Sequence, residues 1–210
     1  MKQKKFINYL CLSGVISLVF YLLHDILGGM NYPGYSFMKQ AVSDLTATDA
    51  PSFVVASGYV TVYKIFACLC LTLVSLLVKK EKMKSLRIGI YLFTIMTFIS
   101  SIGYALFPLS SSGYDGSTAS FIHVYILTAI VVLLSIISLV LISVGSFKGL
   151  EKHKYLGILS IVFLALMFVG AVFSTNVSKD IFGLFERFST YSVVIFTGIL
   201  GLYGYEVFKD

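Results

Sequence analysis

The sequence predicts an all-α integral membrane protein, a bundle of six transmembrane helices with both termini on the cytoplasmic side. Three observations lead there. The chain of 210 residues is 58% hydrophobic and only 12% charged, about half the charged share of a soluble domain. Its apolar residues fall into six runs of roughly 20 residues, the length a helix needs to cross a bilayer. Its basic residues gather in alternate connections, as they do when they set topology.

The runs place spans at about 6–27, 53–78, 86–107, 119–146, 155–175 and 188–207 in a single domain covering 1–210. The first run follows the basic stretch Met1–Lys5 and reaches Leu27. It exceeds a secretory apolar region of roughly 7–15 residues, and no small-x-small cleavage site closes it. It therefore reads as a retained first helix. Lys2, Lys4, Lys5, Lys79, Lys80, Lys82, Lys84, Arg87, Lys148, Lys152, Lys154 and Lys209 fall on the inner side, whereas Lys39, Lys179 and Arg187 fall on the outer side. The net charge of +6 is thus a topology signal. It is not a nucleic-acid footprint, because no basic face or aromatic–basic module accompanies it.

Pro33, Pro51 and Pro108 all lie on the outer side near span ends, where proline punctuates helices. Cys11, Cys68 and Cys70 sit inside apolar runs without CxxC spacing and read as small buried residues. The longest connection runs from Gly28 to Ser52. There Gly28-Gly29 is expected to end the first helix, and Tyr32-Pro33-Gly34 to turn. Ser36 is expected to cap a short amphipathic helix reaching Leu45. Phe37, Met38, Ala41, Val42 and Leu45 would form its apolar face.

Ionisable side chains within spans are costly in lipid and normally face the bundle interior or water. Here they concentrate in the outer half: His24 and Asp25 near the outer end of span 1, Lys64 mid-way along span 2, and His123 one turn into span 4. Ser43 and Asp44 lie in the first outer connection, and Glu186 and Arg187 introduce span 6. Ser13, Ser17, Phe20 and His24 form one helical stripe, which turns His24 inward. Lys64 needs a counter-charge, with Asp25, Asp44 and Glu186 as candidates. Arg187 is expected to meet a carboxylate from the first outer connection, Asp44 being the first choice. His24, His123 and Asp44 are the candidate metal ligands, since zinc needs about three protein ligands for a catalytic site. The spacing is dispersed, however, and no HExxH is present. Ser43-Asp44 with a histidine lacks the GxSxG elbow of a serine hydrolase. No phosphate-binding loop, dinucleotide fingerprint or haem motif occurs. Asn176-Val177-Ser178 is a glycosylation sequon on the outer side. The Lys-, Ile- and Phe-rich composition points to an AT-rich bacterial genome, and the expected location is then the bacterial plasma membrane.

Three segments carry a family resemblance. They are Tyr35 through Pro51 (YSFMKQAVSDLTATDAP), Phe107-Pro108 with His123 opening span 4, and Gly183-Leu184-Phe185-Glu186-Arg187 before span 6. In this order across six spans the chain resembles the prokaryotic membrane proteins grouped as domain-of-unknown-function family 998. The first connection often carries Ser-Glu-Leu in that family, and here it carries Ser43-Asp44-Leu45. A more distant similarity is to six-span DRAM and Frag-type proteins, some of which act in lipid processing. The resemblance implies a fold and a map of polar positions but no reaction.

Two functional readings stay open. In the first, His24, Asp25, Ser43, Asp44, Lys64, His123, Glu186 and Arg187 line an outward-opening pocket without a cofactor. It would bind a lipid headgroup or small amphiphile, with membrane lipids as partners. In the second, the chain is a zinc-dependent membrane hydrolase of lipid ester or amide bonds. His24 and His123 are then ligands, and Asp44 or Glu186 a ligand or base.

Overall fold

A computed structural model describes residues 2–110, 113–176 and 178–208. Val177 of the sequon and Lys209 lie outside these residues. Among the described residues there is no strand. Six helices are long and apolar enough to cross a membrane: Phe6–Met30, Phe53–Val78, Lys84–Leu106, Thr118–Phe147, Glu151–Ser174 and Phe182–Val207, here spans 1 to 6. With an even number of spans both termini share one end of the bundle. We call this the terminal end, and the opposite one the loop end.

The helix ends differ from the expected spans in instructive ways. Span 1 is two helices, α1 (Lys2–Leu10) and α2 (Ser13–Met30), joined by a tight turn. The Cys11 amide is shared there between the Ile7 and Asn8 carbonyls. Gly28-Gly29 does not end this helix, which runs through them to Met30. These two glycines are instead contact points: a Cβ on Gly28 would lie 3.2 Å from both Ala56 and Leu45. Span 6 begins at Phe182, six residues before the expected start at 188. Glu186 and Arg187 therefore belong to the helix, because their polar groups are satisfied within the protein. Span 4 opens with a short α-helical turn (Thr118–Phe121), then a π-helical turn (Ile122–Leu127), before regular helix from Thr128 to Phe147.

The expected helix from Ser36 to Leu45 is reduced to a 3-10 turn, Val42–Thr46. Val42 and Leu45 are buried as the pattern predicts, while Phe37 and Met38 remain well exposed. A Gly34 φ of 77° turns the chain ahead of it.

The core sits between spans and is densest toward the terminal end. Phe196 of span 6 meets Phe93 of span 3 at 5.4 Å and Phe163 of span 5 at 6.1 Å between ring centroids. Leu71, Val74, Met96, Leu139, Ile142 and Leu200 fill the space around them. With lipid outside, apolar burial gives little drive for helices to associate, and close backbone approach and hydrogen bonds matter more. Gly14 and Gly201 allow a close approach of spans 1 and 6: a Cβ on Gly14 would lie 2.8 Å from the Thr197 carbonyl. Hydroxyls within spans are mostly satisfied locally. Ser135, Ser138, Ser160 and Thr97 donate to carbonyls one turn earlier, and Ser75 bonds Thr94 across spans 2 and 3 at 2.8 Å. The three cysteines are free, as their spacing implied.

Candidate functional site at the loop end

The polar residues singled out in the sequence do gather at the loop end, but they divide into two groups with different chemistry.

The first group is a closed clasp around Arg187. Its Nε donates to Asp25 Oδ2 at 2.9 Å and its Nη2 to Asp25 Oδ1 at 2.8 Å, a bidentate pair. The two side chains are 9% and 2% exposed. Nη2 also donates to the Tyr35 hydroxyl at 2.8 Å. Nη1 reaches the carbonyls of Phe37, Gln40 and Gly183 at 2.7, 3.0 and 3.0 Å. The Tyr35 hydroxyl itself donates to the Ala41 carbonyl at 2.7 Å, and burial pushes its phenol above the usual range. The Tyr191 hydroxyl donates to Asp25. Rings of Tyr35 and Phe37 flank the guanidinium. A planar fork with five N–H groups suits this arrangement, and an ammonium does not. The carboxylate facing Arg187 is thus Asp25 of span 1, where the sequence pointed first to Asp44. The first connection contributes backbone carbonyls and a phenol instead.

The neighbouring acids are occupied in the same construction. Glu186 accepts from the Val42 amide at 3.3 Å and the Thr190 hydroxyl at 3.0 Å. Asp44 accepts from the Ala41 amide at 3.1 Å, closing the 3-10 turn, and from the Gly113 amide at 3.2 Å. The second contact ties the first loop-end connection to the one between spans 3 and 4. Backbone bonds from Thr48 to Leu109 and from Asp49 to Ser110 reinforce that tie. Ser43 is half-buried in the turn, its carbonyl accepting the Thr46 hydroxyl at 3.1 Å.

The second group comprises His24, Lys64 and His123. His24 is buried, its Nδ1 3.1 Å from the Ala56 carbonyl. His123, in the π-helical turn, places Nδ1 2.7 Å from the Phe107 carbonyl and its ring 4.5 Å from that of Tyr104. A carbonyl can only accept, so both Nδ1 atoms carry hydrogen. Each neutral imidazole then has its lone pair on Nε2. Lys64 lies about 16 Å along span 2 from Phe53, half-buried, and its charge is felt by both histidines. Among the described residues it has no ion-pair or hydrogen-bond partner. Of its candidate counter-charges, Asp25 pairs with Arg187, and the Glu186 carboxylate takes the Val42 amide and the Thr190 hydroxyl.

The zinc reading requires His24, His123 and Asp44 to converge. Among the described residues no three His, Cys, Asp or Glu side chains form a group that could hold a metal ion.

Sequence reasoning missed Tyr35 and Tyr191 as polar members of the clasp. A tyrosine in a connection, like Tyr35, or in an apolar run, like Tyr191, carries no signal that separates a buried hydrogen-bond donor from an interfacial ring. The third histidine, His153, lies apart from these groups, fully buried at the terminal end.

A family model described as "Protein of unknown function (DUF998)" matches residues 15–203. No curated protein and no solved structure matches the chain.

Proposed function

We propose, for a chain that belongs to the DUF998 family and so inherits a fold but no described activity, that it binds the headgroup of a membrane lipid or small amphiphile. The site is in the loop-end half of the bundle, with Lys64 as the cation that receives an anionic group. The observation that carries this is the state of Lys64: a half-buried ammonium mid-way along a span, with no partner among the described residues. An ammonium in that position is expensive unless an anion, water or a carbonyl reaches it. Arg187, the other cation at this end, is ruled out as the receptor because all three of its nitrogens are engaged within the protein. His24 and His123 add two neutral acceptor nitrogens within electrostatic reach of the same charge, suited to the hydroxyls of a headgroup. A multi-pass membrane protein meets such ligands by lateral diffusion. The basic bias of the terminal end supports a cytoplasmic position for that end, by the positive-inside rule, and on that reading the site faces the outer leaflet.

The test is lipid retention. Full-length protein is purified in nanodiscs containing phosphatidylglycerol and phosphatidylcholine, and bound lipid is counted by native mass spectrometry. A charge-assisted hydrogen bond contributes about 1.5–3 kcal/mol, so Lys64→Met should weaken phosphatidylglycerol retention by roughly 10- to 100-fold. Lys64→Arg should keep most of it, and phosphatidylcholine should be unaffected by either change. Equal phosphatidylglycerol occupancy in wild type and Lys64→Met would refute the proposal.

A further inference from the structure

A separate polar group lies at the terminal end, away from Lys64. His153 closes the 3-10 turn Glu151–His153 that opens span 5, and it is fully buried. Its Nε2 is 3.2 Å from Glu81 Oε2, and its Nδ1 is 2.9 Å from the Tyr203 hydroxyl. Lys152 donates to the other Glu81 oxygen at 3.0 Å and lies 5.4 Å from the Phe208 ring centroid. Three segments distant in sequence therefore meet on one imidazole: the connection between spans 2 and 3, the connection between spans 4 and 5, and span 6. Gly149, with Met83 beside it, packs against the imidazole edge. A Cβ on Gly149 would lie 3.0 Å from His153 Cδ2 and 3.3 Å from Met83. Beyond Glu81, Lys152 and Tyr203, the charged and titratable neighbours are Glu151 and Lys154, paired with each other at 2.5 Å on the same turn, Tyr155, whose ring is 6.2 Å from Tyr203, and Glu206, whose charge reaches Tyr155. The Tyr155 hydroxyl is buried without a partner among the described residues.

The two contacts of His153 have complementary capacities. A carboxylate only accepts, so Nε2 carries hydrogen in either charge state. A phenol both donates and accepts. When the imidazole is neutral, Tyr203 donates to the Nδ1 lone pair. When the imidazole is protonated, Nδ1–H donates to the Tyr203 oxygen. Rotation of one hydroxyl switches between the two, and no hydrogen bond is lost. The charge summed over Glu81, His153 and Lys152 changes from zero to +1 on protonation. That changes the attraction among the three segments they belong to.

We propose that Glu81, His153 and Tyr203 form a proton-binding site whose occupancy sets how firmly the two terminal-end connections are held against span 6. The ligand is the proton. Histidine is the side chain whose ordinary titration lies between about pH 5 and 8, and here it is built into the joint itself.

The experiment uses the full chain in nanodiscs. Ring ¹⁵N resonances of histidine are followed by NMR from pH 5 to 8, the His153 signals being those absent from His153→Gln. Amide exchange of residues 79–86 and 148–154 is measured over the same range and corrected for intrinsic chemical exchange. The expected result is a His153 ring titration and a change of about tenfold in exchange of both segments, with a shared midpoint. His153→Gln should flatten the exchange profile. Tyr203→Phe keeps the buried ring but removes the hydroxyl, and it should move the midpoint. A His153 ring that holds one protonation state throughout would overturn the proposal, as would exchange that is equal at both ends of the range or a profile that survives His153→Gln. If His153→Gln does not fold, an unchanged midpoint in Tyr203→Phe overturns it.

Discussion

Replacing Asp25 with asparagine tests the clasp most directly. The substitution keeps shape and one acceptor but removes the charge that balances Arg187. Two charge-assisted bonds link the pair. At about 1.5–3 kcal/mol each their loss amounts to roughly 3–6 kcal/mol, in line with the 3–5 kcal/mol typical of breaking one side of a buried ion pair. The neutral acceptors Phe37, Gln40, Gly183 and Tyr35 remain, which places the expected cost near the lower end, about 3 kcal/mol. The assay is reversible unfolding in mixed micelles, with amide exchange of residues 35–46 as the local readout. The double variant Asp25→Leu with Arg187→Met removes both charges. It should cost less than the sum of the single changes by about 2 kcal/mol, the signature of coupled neighbours. An Asp25→Asn cost under about 1 kcal/mol, or strict additivity in the cycle, would show that the pair does not hold the first connection to the bundle.

Two further outcomes follow from other contacts. Gly14→Leu should destabilise the protein by at least about 1–3 kcal/mol, because a side chain there meets the Thr197 carbonyl and Gly201. Gly58→Leu on the next span should be nearly neutral, as nothing lies within 4 Å of a Cβ at that site. Thermal unfolding of the two variants compares them, and equal losses would refute the close approach of spans 1 and 6. Asp115 accepts the hydroxyls of Ser110 and Ser120 and the hydroxyl-bearing Ser117's amide, and these bonds, Ser110's foremost, hold its carboxyl well below the usual carboxylate range. A depressed carboxyl contributes order that is present above its unfolded value, near pH ~3.9, and lost as pH falls through the folded one. Corrected amide exchange of residues 113–121 should therefore stay flat from pH 7 to 5 and rise only in strong acid. A rise between pH 7 and 5 would count against the Asp115 contacts.

The six spans were legible because each is a long apolar run, and lipid demands little else of a helix. Their loop-end boundaries were less so. Glu186 and Arg187 were read as marking the water interface, a fair inference for unpaired charges. They lie inside span 6 because Asp25 and the first connection supply partners that the sequence does not place in space. The inward turn of His24 was readable from the stripe it shares with Ser13 and Ser17, all three of which are buried. The partner of Arg187 was not, since Asp25 and Asp44 are equally good carboxylates and distance alone chooses between them. The Ser36–Leu45 pattern gave the right buried residues, Val42 and Leu45, within the wrong length of helix. The tertiary bonds of the Phe37 and Gln40 carbonyls to Arg187 take the place of a helical ladder there.

The clasp also sets a timetable for biogenesis. Asp25 and Arg187 are 162 residues apart in the chain, and synthesis proceeds from the N-terminus. Asp25 enters the membrane with the first helix, and its counter-charge arrives with the last. Until then its carboxylate has no counter-charge in the chain, and the first connection, tied by Asp44, Thr48 and Asp49 to the connection between spans 3 and 4, lacks the contacts that its Phe37 and Gln40 carbonyls make with Arg187. A chain stalled before span 6 would therefore present an unpaired acidic side chain and a half-fastened first connection to membrane quality control. Completion of the sixth span is the moment at which both signals disappear together.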